Sequence, residues 1–465
     1  MIDRTVATPL PYNRRQNSVS RWLREHPRLD IIRVSFLLLA HFGLGLLLSG
    51  TPALSNLHVG AVVLLGFWYA LSKPQLERAA YVGAYITGSE ILWRMTGAGV
   101  FWEFGKYAIV VIFTLALIRT GRLRAPILPI LFLLLLLPSL VIPMANVDES
   151  ELRRQVSFNL SGPLALAASS WFFSHIRLTG AQLRNLLMAL ICPIVSVAAK
   201  ASYGIATAEK LVFIDDSNPL TSGGFGPNQV SAILGLGALA AFVLVLSVSA
   251  SRSTKILFLL VSILLTAQCA LTFSRGGLYM ACGGALLAVL LLIRDRRARL
   301  RLVAVIAVLF LTINFLLLPQ LDEFTGGALS KRFSDTKLTG RDNLVMADLQ
   351  VFAENPTVGV GPGQTRHHRN REIGYALAAA HTEFSRLLAE HGAFGLVAIF
   401  VLLCMAFQHF AQAPTARGKA IAGSMTAWSL LFMTSAAMRL VAPGFIFGLT
   451  AATILPDEGP DQPAA

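Results

Sequence analysis

Apolar runs of about 15–20 residues recur along the chain from position 31 to position 455, divided by short polar clusters. They predict spans near 31–48, 57–71, 79–95, 103–118, 127–144, 160–173 and 186–203. Further spans follow near 229–248, 256–273, 278–293, 302–318, 394–410, 420–437 and 440–455. Only helices and closed barrels satisfy their own backbone in hydrocarbon, and these runs have helix length. The expectation is therefore an all-α polytopic transmembrane bundle of about 12–14 spans. The rhythm fails once, at 319–393, where polarity is mixed for far longer than a connection between helices requires. Inside that loop, 342–354 spaces Val345, Leu349 and Phe352 as a helix that stops at Asn355–Pro356. A second helix is predicted over 376–391, with His381, Phe384, Leu388 and His391 on one face. Its other face carries Glu383, Arg386 and Glu390 as a surface ladder, and Gly392 ends it. VGVGPGQ at 358–364 reads as a turn between the two. The chain thus divides into a basic tail (1–30), a bundle (31–318), the long loop (319–393), closing spans (394–455) and a short tail (456–465).

Charge gives the bundle a direction. Charged residues make up 14% of the chain, against about 25% in soluble domains. The formal net charge is +14 and the mean hydropathy +0.63. In a soluble protein such a charge would suggest nucleic acid; here the positive-inside rule accounts for it, and no nucleic-acid partner is expected. The basic runs at 119–124, 252–255, 294–301 and 417–419 all fall on one side when the spans alternate, with both termini cytoplasmic and the long loop outside. The polar, basic first 28 residues make the first span the expected insertion signal. No internal repeat or matched pair of broken helices points to a secondary transporter. Cys192, Cys269, Cys282 and Cys404 lie in apolar runs without a CxxC pair, so all are expected to be buried hydrophobes.

Candidate chemistry lies where charge meets the apolar pattern. Glu90 and Arg94 are one turn apart, and Glu103 and Lys106 three residues apart; each pair can neutralise itself as a structural link or mark a functional site. Arg275, in SRGG, sits at an outward connection, the wrong side for a topogenic arginine; it suits an anion contact or interfacial snorkelling. Arg341 opens a predicted helix, where free N–H groups favour an anion or a local ion pair. Arg439 is another outward arginine at a span end. Arg366, Arg369 and Arg371, with His367 and His368, form a basic cluster that could equally be a solvated face. His381 is the best candidate base, because histidine titrates near neutrality, although a lone histidine on an apolar face is more often a core residue. His391 reads as a helix C-terminal cap. No P-loop, HExxH, GxSxG or paired-aspartate motif is present, and neither metal nor cofactor is expected.

Several stretches together resemble the O-antigen ligase and Wzy-type polysaccharide polymerase superfamily. They are GGFGPNQVSAILGLG at 223–237, SRGG at 274–277, TGRDNLVMADLQVFAENPTVGVGPGQ at 339–364 and AHTEFSRLLAEHGAFGL at 380–396. The resemblance covers roughly 220–410, and the order and spacing of the pieces make it specific. SEILWRMTGAGVFWEFGKY at 89–107 is similar to an exopolysaccharide-linked branch, and Thr382 stands where many relatives carry Asn. The resemblance implies a metal-independent inverting glycosyltransferase in the bacterial inner membrane, working on the periplasmic side. Its donor would be a glycan on undecaprenyl pyrophosphate. Its acceptor would be a sugar hydroxyl on another lipid-linked repeat (polymerase) or on lipid A-core (ligase), with membrane lipid around it. His381 would then be the base and Arg275, Arg341 and Arg439 the pyrophosphate contacts. Glu90, Arg94, Glu103, Lys106, Arg366 and Glu383 would support them. A lipid or polysaccharide transporter and a non-catalytic assembly scaffold are the readings from other classes.

Overall fold

The computed structural model describes residues 27–72, 75–142, 148–208, 213, 217–247, 250–293, 296–334, 341–369 and 380–456. Its first half is α1 (Pro27–Leu48), α2 (Pro52–Ser72), α3 (Leu76–Met95), α4 (Phe104–Thr120), α5 (Ile127–Leu134), α6 (Glu149–Ser174) and α7 (Gly180–Ala206). Then come α8 (Pro227–Ser247), α9 (Arg252–Leu271), α10 (Arg275–Leu292) and α11 (Arg296–Leu311), the last running through a π-helical turn into α12 (Leu318–Phe324). The loop region contributes α13 (Ala328–Ser334), α14 (Arg341–Glu354) and α15 (Thr365–His368). The chain closes with α16 (Glu383–Gln412), α17 (Ala416–Ser435) and α18 (Ala442–Leu449).

This is the expected all-α bundle. Among the described residues, eight helices are long and apolar enough to cross a membrane. Four more, α3, α4, α6 and α17, run 17–26 residues. Two predicted spans are not full helices. The 127–144 run forms α5 and a 3-10 turn that begins at Pro138, so its helical part is too short to cross. The 440–455 run forms only the eight residues of α18 before Thr453–Ile454 pairs in parallel with Arg177–Leu178. The long loop begins later than predicted, because the membrane helix continues to Phe324 despite Pro319. Helix 341–354 forms as predicted and stops at Asn355. Of the predicted 376–391 helix, 370–379 lies outside the described residues, and the helix present starts at Glu383 with Thr382 as its N-cap.

The two ends of the bundle differ in chemistry. At one, Arg184 pairs with Asp30, Arg122 bonds the His175 carbonyl at 2.6 Å and Arg119 bonds the Leu71 carbonyl at 3.2 Å. At the other, polar side chains from the 223–237 stretch stitch helices together. Gln229 receives Arg94 at 2.8 Å, Asn228 receives the Ser274 hydroxyl at 2.8 Å, and Ser231 donates to the Ser274 carbonyl at 2.8 Å. Here α8 and α10 touch backbone to backbone. A Cβ on Gly277 would lie 2.1 Å from the Ser231 carbonyl, and one on Gly235 would lie 2.3 Å from the Gly277 carbonyl. Small residues at a membrane-helix crossing permit that approach. The second glycine of SRGG therefore serves helix packing rather than room for an anion, while a Cβ on Gly276 would meet only Met280 at 3.5 Å. Cys192 and Cys269 are buried as expected; Cys282 is not, since it lies on the exposed face of α10.

Candidate active site

The α16 helix breaks and resumes at Gly392, whose φ of 57° and ψ of −136° no L side chain adopts comfortably. A break frees backbone groups that must find partners. The carbonyls of Ala389 and Glu390 accept from Val360 and Gly361 N–H, both at 3.0 Å, and Ala393 N–H donates to the Pro356 carbonyl at 2.7 Å. The glycine-rich turn that follows α14 is thus the hydrogen-bonding complement of the broken helix. A Cβ on Gly359 would meet the Glu390 backbone at 2.4 Å, and one on Gly392 would meet Gly359 N at 2.6 Å. Two side-chain contacts add to this interlock. Asp348 of α14 accepts from Arg369 at 2.8 Å and from the Ser385 hydroxyl at 2.6 Å. Burial pushes the Asp348 carboxyl above its ordinary range, against the pull of Ser385 and Arg369.

The turn, the first half of α16, the start of α6 and the α17–α18 connection enclose a cavity of about 260 Å³. Arg439, Arg386, Arg369, Arg366 and Arg154 contribute to its wall, against Glu390 and Glu151. Phe158, Asn159, Gln155 and Ala380 complete much of the rest. Most of the guanidinium charge is already engaged. Arg386 lies buried between Glu383 and Glu390, bonding the latter at 2.6 Å. Arg369 pairs with Asp348 at 2.6 Å, while Arg366, at 3.1 Å, and Arg154 pair with Glu151. Arg439 is different. One terminal nitrogen donates to the Ala380 carbonyl at 2.7 Å, and its Nε has no hydrogen-bond partner among the described residues. Ala380 precedes His381, and Thr382 after it caps α16 by accepting from Ser385 N–H at 3.0 Å. His381 is half-buried and is not on the cavity wall; in the chain it stands between Ala380, whose carbonyl Arg439 holds, and the N-cap Thr382.

The other predicted residues fall into distinct groups. Glu90 and Arg94 do pair, at 2.7 Å, and Arg94 also stacks over Trp102 with 4.0 Å to the ring centroid. Glu103 and Lys106 form no ion pair; Lys106 is fully buried and turns to the Met438 carbonyl at 3.4 Å. Glu383, Arg386 and Glu390 do form a ladder, but it is buried rather than on the surface, because the α14–α15 segment and the α17–α18 connection cover that face. His391 is not a cap: it is buried, with Nδ1 2.6 Å from the Ser139 hydroxyl. Arg275 opens α10 beside Phe273, which holds a left-handed φ of 56° and whose carbonyl accepts from Arg332 at 3.1 Å. Arg275 is not on the cavity wall, and Arg341 opens α14. Arg366 and Arg369 are split between two carboxylates instead of forming one basic patch, and Arg371 lies outside the described residues. Arg154, Glu151, Gln155, Asn159, Asp348 and Ser385 were not among the residues that the sequence marked as candidates. Of these, only the arginine pair 153–154 at an outward span start carried a readable signal.

Residues 260–400 of the 465 match the O-antigen ligase family model. The match supports the O-antigen ligase-related superfamily that the motifs indicated, and with it a ligase- or polymerase-type role in O-antigen biosynthesis for this multi-pass membrane protein. Arg275, Arg341 and His381 lie inside the matched segment, while Arg439, Glu90, Arg94 and Lys106 lie outside it. No curated protein matches the chain.

Proposed function

We propose that this protein is an inner-membrane glycosyltransferase that moves a glycan from undecaprenyl pyrophosphate to a sugar hydroxyl, polymerising exopolysaccharide or O-antigen repeats on the periplasmic side. The observation that carries the reading is Arg439, which faces the cavity with one hand and holds the backbone beside His381 with the other. The donor's pyrophosphate takes the guanidinium fork of Arg439, and Arg275 and Arg341, at the starts of α10 and α14, are the further donor contacts. The acceptor hydroxyl attacks the anomeric carbon from the face opposite the leaving group, inverting it. Its proton passes to His381, and the polyprenyl pyrophosphate departs with the electron pair of the broken C–O bond. Charge on the leaving group is met by guanidinium groups, with no metal in the scheme.

The description of the matched family as O-antigen ligase favours a second reading, transfer to lipid A-core. Surface-glycan analysis of a deletion strain separates the two. Loss of all high-mass polymer identifies a polymerase; polymer made but retained on the lipid carrier identifies a ligase. Unchanged glycans in the deletion strain would remove both.

A further inference from the structure

The connection between α17 and α18 leaves the helical conformation at Ala436 (φ −155°, ψ 146°) and does not regain it until α18. It does so among apolar helices, where exposed backbone N–H and C=O groups have no water to bond. Its partners are charged side chains from three other helices. Met438 N–H donates to Glu383 of α16 at 2.9 Å, and the Met438 carbonyl accepts from Lys106 of α4 at 3.4 Å. The Arg439 carbonyl accepts from Arg94 of α3 at 3.4 Å, and Val441 N–H donates to Glu90 of α3 at 2.8 Å. The charges are themselves matched: Glu90 by Arg94, and Glu383 by Arg386. Gln229 and the Trp102 carbonyl hold Arg94 from the side, each at 2.8 Å.

Buried charges in a membrane protein are by default read as substrate contacts. The geometry points elsewhere here. None of Glu90, Arg94, Lys106 and Glu383 lines the cavity, and each spends hydrogen bonds on the 438–441 backbone. The side chain that this backbone presents to the cavity is Arg439. We propose that Glu90, Arg94, Lys106 and Glu383 are positioning residues. They hold an unwound membrane segment so that Arg439 meets an anion in the cavity while its other nitrogen fixes the Ala380 carbonyl beside His381. Binding of the anionic group and placement of the base are thereby set by one clamp. The catalytic meaning of the clamp rests on the glycosyl-transfer reading; its geometry does not.

The test uses the full chain in membranes, with Cys282→Ser, Cys404→Ser and a reporter Ala437→Cys on the cavity wall. A charged thiol reagent labels the reporter, and inorganic pyrophosphate is the probe for protection. Protection is expected in the reporter protein and is expected to be lost in Arg439→Gln. Glu383→Leu and Glu90→Leu should abolish it, and the near-isosteric Lys106→Met should weaken it about tenfold, the size of a lost charged hydrogen bond. Glu383→Gln and Glu90→Gln keep an acceptor for the backbone N–H and should stay within about threefold of the reporter protein. In transfer assays the same order should show as a rise in KM for the donor. If the leucine variants do not accumulate, Lys106→Met and the glutamine pair carry the comparison. Absent protection in the reporter protein, or normal protection in Lys106→Met and in any leucine variant that accumulates, would overturn the proposal. Should protection follow the predicted order while His381→Ala and Arg439→Gln transfer glycan normally, the clamp stands and the functional reading falls.

Discussion

Arg439 divides its guanidinium between structure and cavity, and this decides how its substitutions behave. A lysine there can supply charge but not two separated donors in one plane, so it can serve the anion or the Ala380 carbonyl but not both. Hydrogen bonds to charged groups contribute about 1.5–3 kcal/mol each, so Arg439→Ala should lose at least about tenfold in donor use, and Arg439→Lys should recover little of it. Transfer rate against donor concentration measures both. His381→Ala is expected to cost about 10²–10⁴-fold in transfer at normal protein level, the usual loss for a general base. Wild-type polymer length and yield in that variant would reduce His381 to a packing residue. His391→Ala should differ in kind: it removes a buried partner of Ser139, so the loss appears in thermal stability in detergent more than in transfer. These single residues were legible in the sequence to differing degrees. Arg439, Glu90 and Arg94 stood out because each breaks an apolar run, and the spacing of the last two gave their pairing. The spacing of Glu383, Arg386 and Glu390 gave a correct ladder on the wrong side of the molecule. A helical wheel says which side chains share a face; what covers that face comes from Asp348 and from Met438, far away in sequence. Glu151 was missed because a charge in a polar loop carries no contrast.

At the scale of elements, α16 is two helices joined at one glycine. Gly392→Ala meets two penalties, a left-handed φ and a Cβ 2.6 Å from Gly359 N. It should destabilise the protein by about 1–3 kcal/mol, the range for strained backbone positions, and loosen the 356–361 turn from the helix. Increased proteolysis of that turn in Gly392→Ala is the measurement, and an unchanged cleavage rate would contradict the interlock. The sequence marked Gly392 as punctuation, yet the helix resumes, because Val360, Gly361 and Pro356 take over the hydrogen bonds that the break releases. A second element-scale device lies in α1–α3. Trp93 Nε1 can only donate, so His58 Nδ1, at 2.9 Å, accepts. Neutral His58 then donates from Nε2 to the Tyr85 hydroxyl at 3.0 Å, and Tyr85 donates to His41 Nε2 at 3.2 Å. The Leu37 carbonyl can only accept, so His41 Nδ1 donates there at 2.7 Å. Both ends of the chain impose the same direction, and every member is satisfied with both histidines neutral. Tyr85→Phe leaves two ring nitrogens without their partner at once and should cost about 1–3 kcal/mol, read as a lower melting temperature in detergent. A melting temperature equal to the parent's would mean the chain contributes nothing to helix packing.

For the whole molecule, what matters is which end faces which compartment. The basic runs alternate with the helices so that Arg119, Arg122, Arg184 and Arg177 gather at one end, tied to Leu71, His175, Asp30 and the 453–454 strand. The cavity, α14 and the glycine turn lie at the other, with Glu151 and Gln229. This two-ended arrangement was readable from hydropathy and charge alone, even though two of the predicted spans proved to be short helices. The short elements α5 and α18 leave the order of ends intact: Arg124 before α5 meets His175 at the basic end and Ser139 after it meets His391 at the other, while the parallel strand pairing after α18 returns the chain beside Arg177. The prediction is that reporters fused after Arg297 and after Gly363 give opposite signals, cytoplasmic for the first and external for the second. The sites are well separated for this purpose: the first lies near the start of α11, the second beyond α14 on the cavity wall. Equal signals would put the basic end and the cavity on one side of the membrane. A polyprenyl-linked glycan presented at the outer face could then not reach Arg439 and His381, and the proposed transfer would lose its site.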